Sequence, residues 1–143
     1  MPEYGYLAGH RFPRGTYTLP EYVCWLWSDS AHLPPVYDPH PGLAYLVAQY
    51  GLGVPIEAIL GLMDANAEGG AVTFGEFGAE FHAPLRAGVT YECDAEVLEV
   101  ERKRGRRSGV FDKLTFLVTI REVGSNAPAV TCTNIWIFPR GDA

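Results

Sequence analysis

The chain has 143 residues, of which 48% are hydrophobic and 20% charged, with a formal net charge of −6. That length suits one domain over residues 1–143 with a real core, and the composition excludes a disordered tail. The negative balance gives no general field for nucleic acid, so an anionic ligand has to be met by a local cluster of Lys and Arg.

Cys24, Cys93 and Cys132 are odd in number and lack CxxC or Cys/His spacing, which argues against a zinc site or a disulfide framework. Buried free thiols are expected, as suits a reducing cytoplasm. The N-terminal stretch carries no basic segment followed by an apolar run, and no run is long enough to cross a bilayer. A cytoplasmic protein with neither a membrane nor a nucleic-acid partner is the expectation.

In chain order, Gly15 to Leu19 reads as a short strand with Tyr17 and Leu19 on one face. Pro20 and Glu21 open a helix, since proline is well placed in a first turn. Val23, Leu26 and Trp27 follow at helical spacing, and Pro34 with Pro35 ends the run. The stretch through Pro39, Pro41 and Gly42 is irregular. Leu43 to Gln49 reads as a short helix, broken by Gly51 to Pro55. Pro55 to Asn66 reads as an apolar helix in which Ile56, Ile59, Leu60, Leu62 and Met63 cover most of the circumference, the pattern of a buried helix. Glu57 and Asp64 are its few charges.

Four strand-like segments follow, over residues 71–83, 90–101, 111–122 and 129–138, with turn signals at 84–88, 103–109 and 124–126. Tyr91, Cys93, Ala95 and Val97 alternate with Glu92, Asp94 and Glu96, so one face of the sheet is buried and the other wetter. The expected class is α+β: a curved antiparallel sheet wrapped around a central apolar helix, here Pro55–Asn66.

The run Phe81-His82-Ala83-Pro84-Leu85-Arg86-Ala87-Gly88-Val89-Thr90-Tyr91 resembles the "F-x-x-P-L-R-x-G-D-x-Y" stretch of MaoC-like hot-dog proteins, the acyl-thioester hydratases and dehydratases. Gly53-Val54-Pro55-Ile56, the closing Asn134 to Arg140 and the opening Tyr17 to Trp27 are similar to the same family. The resemblance implies a hot-dog fold, an acyl-CoA or acyl-carrier substrate, no cofactor, and a homodimer or heterodimer with another hot-dog chain, the pocket lying at the interface.

The resemblance also implies a catalytic "D-x-N-P-x-H" motif, whose Asp and His hold a water as general acid and base. Here that motif falls on His32-Leu33-Pro34-Pro35-Val36-Tyr37, so His32 stands for the Asp and Tyr37 for the His. Some dehydratase chains with "D-x-N-P-x-Y" are substrate-holding partners of an active subunit, and this chain resembles them at Tyr37 but not at His32. The helix entry Pro55 to Ile59 replaces the usual "P-I-x-H-G", which brings Glu57 and Ile59 to the expected substrate side.

Histidine is the side chain suited to base chemistry near neutrality, so His32 can act as a base; the alternative is a loop histidine capping backbone groups. Tyr37 can donate a hydrogen bond to a substrate carbonyl or form an aromatic wall. Asp29 can orient His32; Asp38 and His40 are neighbouring candidates, although Asp38 before Pro39 is commonly a turn residue. Arg102, Lys103 and Arg104, with Arg106 and Arg107, can meet the phosphates of coenzyme A or a carrier arm, or form a solvated hairpin tip. His10 and His82 read as structural. Three functions follow: a lyase with a rewired acid/base pair, a substrate-holding subunit, or a pocket repurposed for cyclisation or isomerisation of a polyketide-like molecule.

Overall fold

The computed structural model describes residues 4–33, 39–65, 72–107 and 109–141. Five strands form one sheet: β1 (Gly15–Thr18), β2 (Thr73–Phe81), β3 (Thr90–Gly105), β4 (Gly109–Glu122) and β5 (Val130–Pro139), in the order β1-β3-β4-β5-β2. Every neighbouring pair is antiparallel. Three helices accompany them: α1 (Glu21–Ser30), α2 (Leu43–Tyr50) and α3 (Ile56–Leu62).

The alternation in the sequence places the core. Tyr91, Cys93, Ala95 and Val97 of β3 are buried, as are Val130, Cys132, Asn134, Trp136 and Phe138 of β5. Leu98 is a bulge: Val97 pairs with Phe116 and Glu99 with Thr115, so Leu98 has no opposite residue and Val100 turns back to the buried face. A bulge of this kind bends a long strand and lets the sheet curl. The β3–β4 ladder runs on to Gly105 against Gly109, so Lys103 and Arg104 lie on a strand where the sequence reading put a turn. The motif before β3 also has a structural basis. Gly88 takes φ +78°, and the buried Tyr91 hydroxyl accepts the Arg86 N–H at 2.7 Å.

The helix held by the sheet is α2, not Pro55–Asn66. Helix α2 lies against β2, β4 and β5 and buries Leu43, Ala44, Val47 and Ala48. Small residues make this close seat possible: a Cβ on Gly51 would collide with the Cys93 side chain. Helix α3 stops at Leu62 and buries only Ile59, with Met63 buried just past its end. An apolar circumference alone does not say which helix the sheet encloses, and the sequence reading followed the more apolar one. Asn66 lies outside the described residues. In α1 the buried positions are Cys24 and Ser28, with Val23 and Trp27 half-buried; Leu26 points outward and is 50% exposed.

The segment Gly51–Gly53 abuts the chain entering β1. A Cβ on Gly53 would overlap the Pro13 and Arg14 backbone, and one on Gly15 the backbone of Gly51, Leu52 and Gly53. These glycines lock the foot of α2 to the sheet edge.

Candidate functional site

His32 closes α1. Its φ is +58°, its N–H donates to the Asp29 carbonyl at 3.0 Å, and the Leu33 N–H reaches back to the Ser28 carbonyl at 2.9 Å. That is a left-handed helix closure, in which the residue's backbone carries the role. His32 and Asp29 are both exposed, and among the described residues no side-chain hydrogen bond joins them. Tyr37 and Asp38 lie outside the described residues.

The head of α2 borders a cleft of about 380 Å³, lined by His40, His82, Phe81 and Leu85 together with Pro39, Pro41, Ala83 and Pro84. His40 Nδ1 accepts the Gly42 N–H at 2.9 Å. The Leu43 N–H goes to the His40 carbonyl at 2.9 Å and the Ala44 N–H to the Pro41 carbonyl at 3.1 Å. Across the cleft, His82 Nε2 meets Thr131 Oγ1 at 3.3 Å. Sequence reasoning named His40 as a neighbouring candidate and took His82 as structural; α2 packs against β2, and no local pattern reports that the two imidazoles line one cleft.

The foot of α2 borders a second, more open groove of about 650 Å³, with Arg14, Thr16, Gln49, Tyr50 and Glu57 among its walls. Gln49 Nε2 donates to Asn134 Oδ1 at 3.2 Å, while Gln49 Oε1 and Asn134 Nδ2 are buried without a partner among the described residues. Glu57 is exposed in the first turn of α3, where the helix dipole favours a negative charge. Ile59 is fully buried in the core.

The basic cluster divides. Arg102 makes paired bonds of 2.9 and 3.0 Å to the buried Asp112 carboxylate, which also receives Arg140 at 2.7 Å. Lys103 lies 3.7 Å from Glu101, and Arg104, Arg106 and Arg107 are exposed. Arg102 thus has a carboxylate partner within the fold.

The three cysteines are free and buried. Burial pushes the Cys93 and Cys132 thiols up to about 12, so neither is a thiolate near neutrality. Among the described residues no cluster of three or more His, Cys, Asp or Glu side chains is placed to hold a metal ion.

No family model matches the sequence, and no curated protein matches it. Solved structures do. One chain of the ChsH1–ChsH2 complex from Mycobacterium tuberculosis superposes with a TM-score of 0.69 at 13% identity, over 94% of this chain and 86% of that one. The chain has the hot-dog fold. A chain of the HadBC (3R-hydroxyacyl-ACP dehydratase) complex from the same organism gives a TM-score of 0.63 at 8% identity, over 91% of this chain and 96% of the other. A point mutant of the fluoroacetyl-CoA-specific thioesterase FlK gives 0.60 at 13% identity, over 92% and 87%. Hot-dog architecture is therefore common to complexes, a dehydratase and a thioesterase at identities that carry the fold and nothing finer. In this hot-dog chain no helix of the described residues is long and apolar enough to cross a membrane.

Proposed function

We propose that this chain handles acyl thioesters as one member of a hot-dog dimer, with hydratase/dehydratase chemistry as its reaction class. The observation that carries the reading is the cleft at the head of α2: mostly apolar walls, two imidazoles, and a volume of about 380 Å³ that suits a small acyl group. The dehydratase and the thioesterase that share the fold are both named for thioester substrates, and that supports the substrate class. The edge of β2, which pairs with no further strand among the described residues, supports pairing with a second hot-dog chain. The buried free thiols suit a reducing cytoplasm.

The test is to incubate the purified chain with crotonyl-CoA and longer 2-enoyl-CoA thioesters. Loss of the enoyl absorbance reports hydration, and a thiol reagent reports release of free CoA. Hydration supports the lyase reading. CoA release without hydration replaces it with thioester hydrolysis. A second reading, the substrate-holding subunit, is favoured by His32, whose exposed side chain has no bond to Asp29. It expects no turnover by the chain alone and turnover on mixing with a second hot-dog chain.

A further inference from the structure

We infer that His40 is the hydrogen-bond donor that receives the ligand's thioester carbonyl oxygen in the cleft at the head of α2. The inference rests on the acyl-thioester reading above and adds the atom that meets the carbonyl. The cleft is open, with His40, Pro41, Phe81, His82, Ala83 and Pro84 exposed, and a carbonyl oxygen laid against its apolar wall gives up part of its water and gains from a donor there. Three backbone N–H groups at the head of α2 are already engaged. The Gly42 N–H is taken by His40 Nδ1, the Leu43 N–H by the His40 carbonyl, and the Ala44 N–H by the Pro41 carbonyl. On the opposite wall the His82 and Ala83 N–H groups both go to the Ala129 carbonyl, at 2.8 and 3.1 Å. The His82 ring is drawn to Thr131 through Nε2.

His40 differs from these groups. Because Nδ1 accepts from the Gly42 amide, it has no proton of its own, and the neutral imidazole carries its proton on Nε2. The ring is fixed by a backbone donor at one nitrogen and presents N–H at the other. The positive end of α2 lies behind it and strengthens that donor. A neutral imidazole so held polarises a carbonyl without giving up its proton, and it suits negative charge developing on the oxygen. His32, exposed at the end of α1, is not a lining residue of this cleft.

The test compares two stable ligands on the full chain: S-acetonyl-CoA, which keeps a carbonyl, and S-propyl-CoA, which lacks it. His40→Asn is the variant, because an Asn side-chain oxygen can still accept the Gly42 N–H while Nε2 is gone. The wild type is expected to bind the carbonyl ligand about tenfold more tightly than its partner, with that preference abolished in His40→Asn and the melting curve unchanged. Nitrogen-15 spectra are expected to show His40 protonated on Nε2 in the free protein and that resonance moving downfield with S-acetonyl-CoA. A carbonyl preference that survives His40→Asn, or a shift confined to the His82 ring, overturns the inference and leaves the acyl-thioester reading standing. If the wild type binds neither CoA ligand, that reading fails and the inference with it.

Discussion

Asp112 shows how a buried charge is held. Its side chain has no solvent exposure and is met by Arg102 and Arg140, while Arg140 also donates to the Met63 and Asp64 carbonyls beyond α3. Asp112 with Arg140 thus ties the β3–β4 hairpin and the end of β5 to the chain just past α3. Burial works to raise the Asp112 pKa, but the two guanidiniums outweigh it and hold the carboxyl below its ordinary range. A depressed carboxylate contributes stability that is complete above its unfolded value, about pH 4, and is lost as pH falls through the folded value. Asp112→Asn leaves Arg140 buried without its counter-charge, so it is expected to cost about 3–5 kcal/mol at neutral pH. Urea titrations from pH 7 down to pH 2 check both points: the variant should lose stability at neutrality and show a flatter acid limb. An unchanged midpoint at neutral pH would remove Asp112 from this role. The sequence displayed Arg102 as part of a basic run but hid its partner, because the Leu98 bulge and the resulting register decide that Arg102 faces Asp112. His32 was legible as an unusual residue at the motif position, whereas its place as a helix closure depends on a φ of +58° that composition does not encode.

At the scale of elements, strands were read well because period-two burial is a local property: before the Leu98 bulge, Glu92, Asp94 and Glu96 of β3 sit at the positions its alternation assigns them. Helices were read less well. Leu43 to Tyr50 carries two alanines and a glutamine and looks weaker than Ile56 to Leu62, yet its small side chains let it approach the sheet. Long-range fit, not hydrophobicity, selects the enclosed helix. Two glycine substitutions separate these effects. Gly53→Ala pushes a methyl into the Pro13 and Arg14 backbone, which is not free to yield, and should destabilise by about 1–3 kcal/mol. Gly61→Ala, inside α3 with nothing within 4 Å of the new methyl, should stabilise by about 0.5–1 kcal/mol through helix propensity. Thermal melts of both, side by side, give the comparison. Equal effects would mean that the seam between the foot of α2 and β1 carries no packing constraint.

At the scale of the whole molecule the sheet of the described residues ends in an open edge at β2. Among the described residues β2 pairs with β5 on one side only; it runs nine residues and contains no proline. Phe74 and Phe81 are 56% and 41% exposed, although Phe74 leans on Trp136 and Phe77 on Tyr45 from α2. A long open edge bearing aromatic side chains invites another strand, and native proteins leave one uncovered at the risk of aggregation. An edge-to-edge partner on β2 would cover it and stand beside the flank of α2 that carries Tyr45. The expectation is a two-chain mass in sedimentation, either for this chain alone or after mixing with a second hot-dog chain. Proline at Ala79 and proline at Glu80, introduced separately, localise the contact. Of two neighbouring strand residues, one N–H points to β5 and the other to the open edge. One variant should therefore weaken the fold, and the other should keep its melting behaviour while sedimenting as a single chain. If both prolines leave the two-chain mass intact, the chains associate through another surface, and β2 has to be covered by something other than a partner strand.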